Sequence, residues 1–178
     1  MEKLILDKFK EKYIKDTYNI GYKEKNPEWA KWDGPYFEEY RSYAKLDDFR
    51  KSSDWEFLLT DRCRCILLDG EPIGMVSRGW VDEKTRWMEV GIIIYDESYW
   101  SSGYGFEAMK LWISKTFNDY PEIEHLGLTT WSGNSRMMRL SEKLGMKKEG
   151  QIREVRYWQG VYYDSVKYGV LRSEWESK

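Results

Sequence analysis

The chain is poor in the residues that build metal sites and disulfide frameworks, with two cysteines and one histidine in 178 residues. Cys63 and Cys65 sit two apart in Cys-Arg-Cys-Ile-Leu-Leu. In a strand both point to one face, and a mutual disulfide would strain the extended backbone. With only His125 to add, a Cys/His zinc site would need carboxylates, so no metal is expected. Buried thiols acting as small hydrophobes are the simpler account. No apolar run approaches a membrane span, and Met-Glu-Lys-Leu does not read as a secretory signal, so a cytoplasmic protein with no membrane partner is expected. Neither sign of charge dominates: 29 basic and 31 acidic residues leave a net −2. That balance argues against a nucleic-acid partner, which needs a clustered basic surface. No repeat, linker or composition break marks a second domain, and a single domain over 1–178 is expected.

Aromatic residues are abundant, at 17% with 10 tryptophans. They suit a heavily aromatic core or a homodimer face, or a binding wall for a flat or cationic substrate. The stretch from Trp87 to Ala108 is the most informative. Trp-Met-Glu-Val-Gly-Ile-Ile-Ile-Tyr reads as a strand, and a turn bearing Gly103 and Gly105 opens a helix with Phe106, Met109, Ile113 and Phe117 at helical spacing. Glycines there let the backbone turn tightly and approach a ligand, and the free N–H groups of a first helical turn attract anions. A tight turn alone explains the same residues. The dinucleotide fingerprint would need a third glycine where Ala108 stands, and no Lys-Ser or Lys-Thr pair follows.

Along the rest of the chain, Asp7 to Tyr18 and Tyr36 to Arg50 show helical spacing. Cys63–Leu68, Asp69-Gly70 and Ile73–Trp80 read as a tight hairpin. Leu126–Trp131 is a further strand, Asn134 caps a helix to Leu144, and Gly145 ends it in a left-handed conformation. Val155–Leu171 reads as two strands about Gln159-Gly160. The order predicts an α/β protein with a sheet of mixed direction.

Three segments resemble the GNAT acetyltransferases, in their RimJ/RimL-like branch of ribosomal-protein N-terminal acetyltransferases. They are Glu89-Val90-Gly91, then Tyr99-Trp100-Ser101-Ser102-Gly103-Tyr104-Gly105-Phe106-Glu107-Ala108, then Asn134 followed by Arg139 to Gly150. Arg153 to Trp158, Gln159-Gly160, Tyr162-Tyr163-Asp164 and Leu171 follow the same branch, and Trp32-Asp33-Gly34-Pro35 is similar to one of its segments. The resemblance covers about Arg62 to Leu171. It implies the GNAT fold, a mixed, mostly antiparallel sheet splayed between its fourth and fifth strands and flanked by helices. It also implies transfer of an acetyl group from acetyl-CoA to a primary amine by direct attack. The amine would be a protein N-terminal α-amine or a small-molecule amine.

On that resemblance, backbone groups around Gly91, Ile92 and Ile94 pair with the pantetheine arm, and Asn134 holds it or simply caps its helix. Trp100, Ser101, Ser102, Gly103, Tyr104 and Gly105 form the pyrophosphate loop. Much of the wider family begins that loop with Arg or Gln, so with Trp100 the anion relies more on backbone amides and the helix dipole. Glu89 is the expected base, because a carboxylate amid an apolar strand is costly without a partner or a task. A salt-bridged strand glutamate is the competing account. Ser141 stands where many members carry a tyrosine acid; a serine is the poorer acid and more plausibly donates a hydrogen bond or holds a water.

The acceptor is not named by the sequence. Trp29, Trp32, Tyr36, Tyr157, Trp158 and Tyr162 fit either an acceptor wall or a homodimer contact. Glu38, Glu39, Asp47 and Asp48 fit either a site for a cationic acceptor or a solvated face. A non-catalytic acyl-CoA-binding or sensing module of the same fold is the alternative, kept open by Ser141. A structural partner protein with an aromatic surface would bind no CoA.

Overall fold

The computed structural model describes residues 3–36 and 40–177, without the side chain of Tyr36. Among them seven strands form one sheet in the order β1-β2-β3-β4-β5-β7-β6. These are β1 (Leu4–Asp7), β2 (Cys63–Leu68), β3 (Glu71–Asp82), β4 (Trp87–Ile94), β5 (His125–Trp131), β6 (Lys147–Trp158) and β7 (Val161–Leu171). Every neighbouring pair is antiparallel except β4 and β5, which run parallel. This is the mixed, mostly antiparallel sheet that the family resemblance implies.

Turn chemistry sets the antiparallel half. Asp69 (φ 50°) and Gly70 (φ 94°) are both left-handed between β2 and β3, the backbone a two-residue hairpin requires. Between β3 and β4 the Asp82 carboxylate accepts the amides of Lys84 and Thr85 at 2.9 and 3.2 Å, a side chain closing its own turn.

Helices cover both faces, so β2 is buried at every position, as a sandwiched strand must be. On one face α5 (Tyr104–Asp119) and α6 (Ser135–Lys143) close a core of Val76, Met88, Val90, Leu126, Leu128, Met109, Trp112 and Phe117. The Trp112 indole donates to the Ser77 carbonyl at 2.8 Å, which satisfies the one polar atom it buries. On the other face the N-terminal third packs Phe9, Tyr13, Tyr18, Trp29, Phe49 and Trp55 against Cys63, Cys65, Leu67 and Met75. Both thiols are buried and unbridged, and burial pushes Cys63 up to about 12 and Cys65 higher still. They serve as core hydrophobes, and the described residues hold no cluster of metal-ligating side chains.

That N-terminal third departs from its expected helices. β1 occupies Leu4–Asp7, and helical structure starts only at Glu11, running through α1 (Ile14–Thr17) into a wide turn ending at Tyr22. Among the described residues of the helix expected over Tyr36 to Arg50, α3 (Leu46–Arg50) is the α-helical part, and α2 (Ala30–Asp33) and α4 (Ser53–Leu58) lie before and after it. Glu38 and Glu39 lie outside the described residues, while Asp47 and Asp48 sit exposed on α3. β6 begins at Lys147, well before the expected Val155, and a short α7 (Arg172–Glu176) closes the chain. No helix is long and apolar enough to cross a membrane.

Candidate active site

Parallel β4 and β5 share only two paired positions, Met88 with Leu126 and Glu89 with Gly127. Beyond Glu89 the strands separate, although β4 stays paired with β3 as far as Ile94. The opening is a cleft of about 290 Å³ that passes through the plane of the sheet. Ile92 and Ile94 face the α5 side and Ile93 faces the N-terminal third, the alternation a strand imposes.

Four segments wall the cleft: β4 from Ile92 to Ile94, the loop and first helical turn from Tyr99 to Phe106, α6, and α2. The loop turns sharply into α5. Ser101 (φ 64°) and Gly103 (φ 92°) are left-handed, and Gly103 is the N-cap of α5, so the first amides of that helix have no preceding turn to bond to. The two glycines act differently. Gly103 supplies a backbone angle, whereas Gly105 is helical, and a Cβ there would meet only Ile94 and Leu140 at 3.7 and 3.8 Å. Gly105 leaves room in the cleft without itself making the turn.

Seven of the expected cofactor residues line this cleft: Ile92, Ile94, Trp100, Ser101, Gly103, Gly105 and Asn134. Gly91, Ser102 and Tyr104 do not. Asn134 lines it with its amide engaged at both ends: Oδ1 accepts the Met137 amide at 2.9 Å as the cap of α6, and Nδ2 donates to the Trp32 carbonyl at 2.9 Å. The Trp100 indole donates to the Ile94 carbonyl at 2.9 Å, pinning the loop to the end of β4.

Neither expected catalytic residue lines the cleft. Glu89 stands at the last paired position, where the strands begin to part. Its Oε1 accepts the Thr129 hydroxyl at 2.8 Å and lies 3.5 Å from the Lys167 ammonium, which itself donates to Thr129 at 2.9 Å. Gly127 makes room for this carboxylate, since a Cβ there would sit 3.1 Å from Glu89 Cγ. Ser141 is fully buried, and its hydroxyl donates to the Met137 carbonyl one turn back at 2.9 Å. It turns toward its own helix, away from the direction expected for a group acting on the cofactor.

The sequence reading missed the cleft's charges. Arg136, Arg139 and Lys143 all reach it from α6, and their spacing of three and four residues was the available signal. The Arg136 guanidinium lies 4.8 Å from the ring centres of both Trp32 and Trp100, and the Lys143 ammonium lies 4.7 Å from that of Phe106. Among the described lining residues Asp33 is the one carboxylate. It has no hydrogen-bond or ion-pair partner among the described residues, and burial alone pushes it up to about 7. Of the aromatic candidates, Trp29 and Trp32 line the cleft, whereas Tyr157 and Tyr162 pack on each other, exposed on the β6–β7 hairpin.

The site thus combines a splayed parallel pair of strands, a glycine-bearing turn at the start of α5 and three cations on α6. The family profile described as "Acetyltransferase (GNAT) domain" matches residues 3–147, and the chain belongs to that family. It is 32% identical over 108 residues to the SPbeta prophage-derived uncharacterized N-acetyltransferase YokL of Bacillus subtilis, a match covering 61% of this chain and 60% of that protein. The chain thus spans less than two thirds of the length of that curated relative. Its fold matches the GNAT-family acetyltransferase from Bacillus anthracis (TM-score 0.71, 18% identity, covering 98% of this chain and 100% of that one). It also matches the spermidine N-acetyltransferase from Vibrio cholerae, solved with CoA and spermine (TM-score 0.72, 19% identity, covering 97% and 98%).

Proposed function

We propose that this chain is an N-acetyltransferase that moves an acetyl group from acetyl-CoA to a primary amine by direct attack. The amine is a protein N-terminal α-amine or a small-molecule amine. The observation that carries this reading is the parting of β4 and β5 after Glu89 and Gly127, with the cleft it opens through the sheet. The residues present fit the ligand. The β4 edge beyond Glu89 offers backbone groups to a pantetheine arm, and the first turn of α5 offers amides to a pyrophosphate. Arg136, Arg139 and Lys143 add charge of the right sign. Arg136, held over Trp100, supplies from α6 the cation that the first loop position lacks.

When bound, acetyl-CoA supplies an activated acyl thioester. The chain supplies orientation and a proton acceptor. Amines attack only when neutral, yet α-amines titrate near ~8 and lysine-type amines near ~10. In this reading the Glu89 carboxylate takes that proton, directly or through water, while Thr129 and Lys167 hold it in one orientation. The Ser141 hydroxyl, bonded to Met137, serves its helix.

Thermal unfolding with acetyl-CoA tests the cofactor half. At about 100 times the dissociation constant, linkage gives roughly 2.7 kcal/mol, a rise of roughly 5–11 °C for a chain of this size. Thiol release across a panel of amines then tests the chemistry. A shift with no thiol release on any amine marks an acyl-CoA-binding or sensing module. No shift at saturating acetyl-CoA removes the reading altogether.

A further inference from the structure

The cleft is electrically lopsided. Its α6 wall carries Arg136, Arg139 and Lys143, and its α2 wall carries Asp33, the one acid among the described lining residues. Lys143 lies over Phe106 in the first turn of α5, and Arg136 bridges the loop and α2, 4.8 Å from the rings of both Trp100 and Trp32. Asp33 shares the cleft with Trp29 and Ile93, which belong to the core on the N-terminal side of the sheet. A carboxylate in apolar company is costly to keep without a partner, and none is present among the described residues. Glu89, by contrast, already has Thr129 and Lys167.

Asp33 is also held in place. The carbonyl of Trp32, the preceding residue, accepts both the Trp131 indole at 2.7 Å and the Asn134 amide at 2.9 Å. The following residue, Gly34, is left-handed (φ 49°) and packed so closely on Trp131 that a Cβ would lie 2.4 Å from the ring. One peptide segment is therefore fastened to β5 and to the start of α6, and the carboxylate it carries keeps a fixed position in the cleft. An ordinary solvated aspartate needs no such mounting.

We propose that Asp33 is the recognition residue for the acceptor, pairing with the protonated amine of a cationic substrate whose apolar body lies against Trp29 and Trp32. This deepens the acetyltransferase reading and rests on it: α6 takes the anionic donor, Asp33 docks the arriving ammonium, and the nitrogen gives up its proton to Glu89, directly or through water, before it attacks. Neutral and acidic molecules are disfavoured as acceptors, because they bring no cation to pair with the Asp33 carboxylate. Burial that holds Asp33 up near 7 supports this assignment, since such a carboxylate gains more from an arriving cation than a solvated one does.

The test compares wild type with Asp33→Asn, using benzylamine and phenylalaninamide as cationic probes and benzyl alcohol as a neutral isostere. In thiol-release kinetics Asp33→Asn is expected to raise KM for both amines at least tenfold, with kcat within about threefold and stabilisation by acetyl-CoA unchanged. Benzyl alcohol is expected to inhibit wild type and variant equally weakly. Asp33→Ala carries the same expectation should the amide substitution disturb the loop. A KM within twofold of wild type overturns the proposal, as does a variant that loses acetyl-CoA stabilisation. Failure of the underlying reading has a separate signature, no acetyl-CoA shift in wild type. Both amines are therefore also titrated calorimetrically into the ligand-free and CoA-loaded protein. Binding that is weakened in Asp33→Asn sustains the recognition role without turnover, and no binding to wild type overturns it.

Discussion

At Glu89 a carboxylate, a hydroxyl and an ammonium meet within reach of one another, drawn from β4, β5 and β7. Thr129 and Lys167 are themselves cross-strand partners, so the cluster is fixed by the register of the sheet, with no loop involved. Glu89→Gln keeps the Thr129 contact and removes the proton acceptor, and it is expected to lower kcat by about 10²- to 10⁴-fold. Ser141→Ala removes a hydroxyl that bonds only within its own helix. It is expected to change turnover by less than threefold and stability by no more than about 1 kcal/mol. Steady-state kinetics on the two variants check the assignment, and the opposite ranking overturns it. Of the two sequence readings of Glu89, the salt-bridged strand residue is matched by Lys167 at 3.5 Å, and the base is the role these variants test. Which strand Lys167 pairs with was not readable without the register.

At the scale of elements, β2 to β5 with α5 and α6 were legible because each carries several turns or rungs of pattern between clear turn residues. The Asp69-Gly70 hairpin and the Asn134 cap stand where local chemistry puts them. Helices of four to six residues, such as α2, α3 and α4, are too short to show a period. The first half of β6 was missed because it is an edge strand exposed at most positions, with no buried face to write an alternation. The α2 segment shows how much a short element can carry. Gly34→Ala forces a side chain into a left-handed backbone position and into the Trp131 ring, at an expected cost of at least about 2 kcal/mol. Urea unfolding checks that figure. The same variant is expected to raise KM for amines, because it displaces the peptide that carries Asp33.

For the molecule as a whole, Asp33 links the cleft to stability. The folded state keeps its proton up to about pH 7, while the unfolded chain releases it near 3.8. The folded state therefore binds more protons between those values, and this group's contribution falls as pH rises through the window. The cleft also holds Arg136, Arg139, Lys143 and Tyr99 as ionisable groups, and none of them contributes to the shift, which burial alone causes. Asp33→Asn removes the penalty, so its melting temperature relative to wild type is expected to rise from pH 5 to pH 8. A difference that stays constant or falls in thermal scans contradicts the burial of this carboxyl. The loop side of the cleft was visible in the sequence because strand, turn and helix N-terminus follow one another. The α2 side was not, because α2 and α6 are a hundred residues apart and are brought together by the Asn134–Trp32 hydrogen bond and by Arg136 over the Trp32 ring.

The divergence of β4 from β5 also bears on solubility. An unpaired strand edge is ordinarily a template on which other chains add and aggregate. Here that edge lies inside the molecule, between the tryptophans of α2 and the loop on one side and α6 on the other. A foreign β-strand needs almost 5 Å of lateral spacing and room for side chains on both faces, and here Trp32, Trp100 and Arg136 pack against one another at the cleft. A thin, unbranched arm needs far less. The walls of the cleft thus act as a filter, leaving that edge of β4 open to a slender ligand and closed to a further strand.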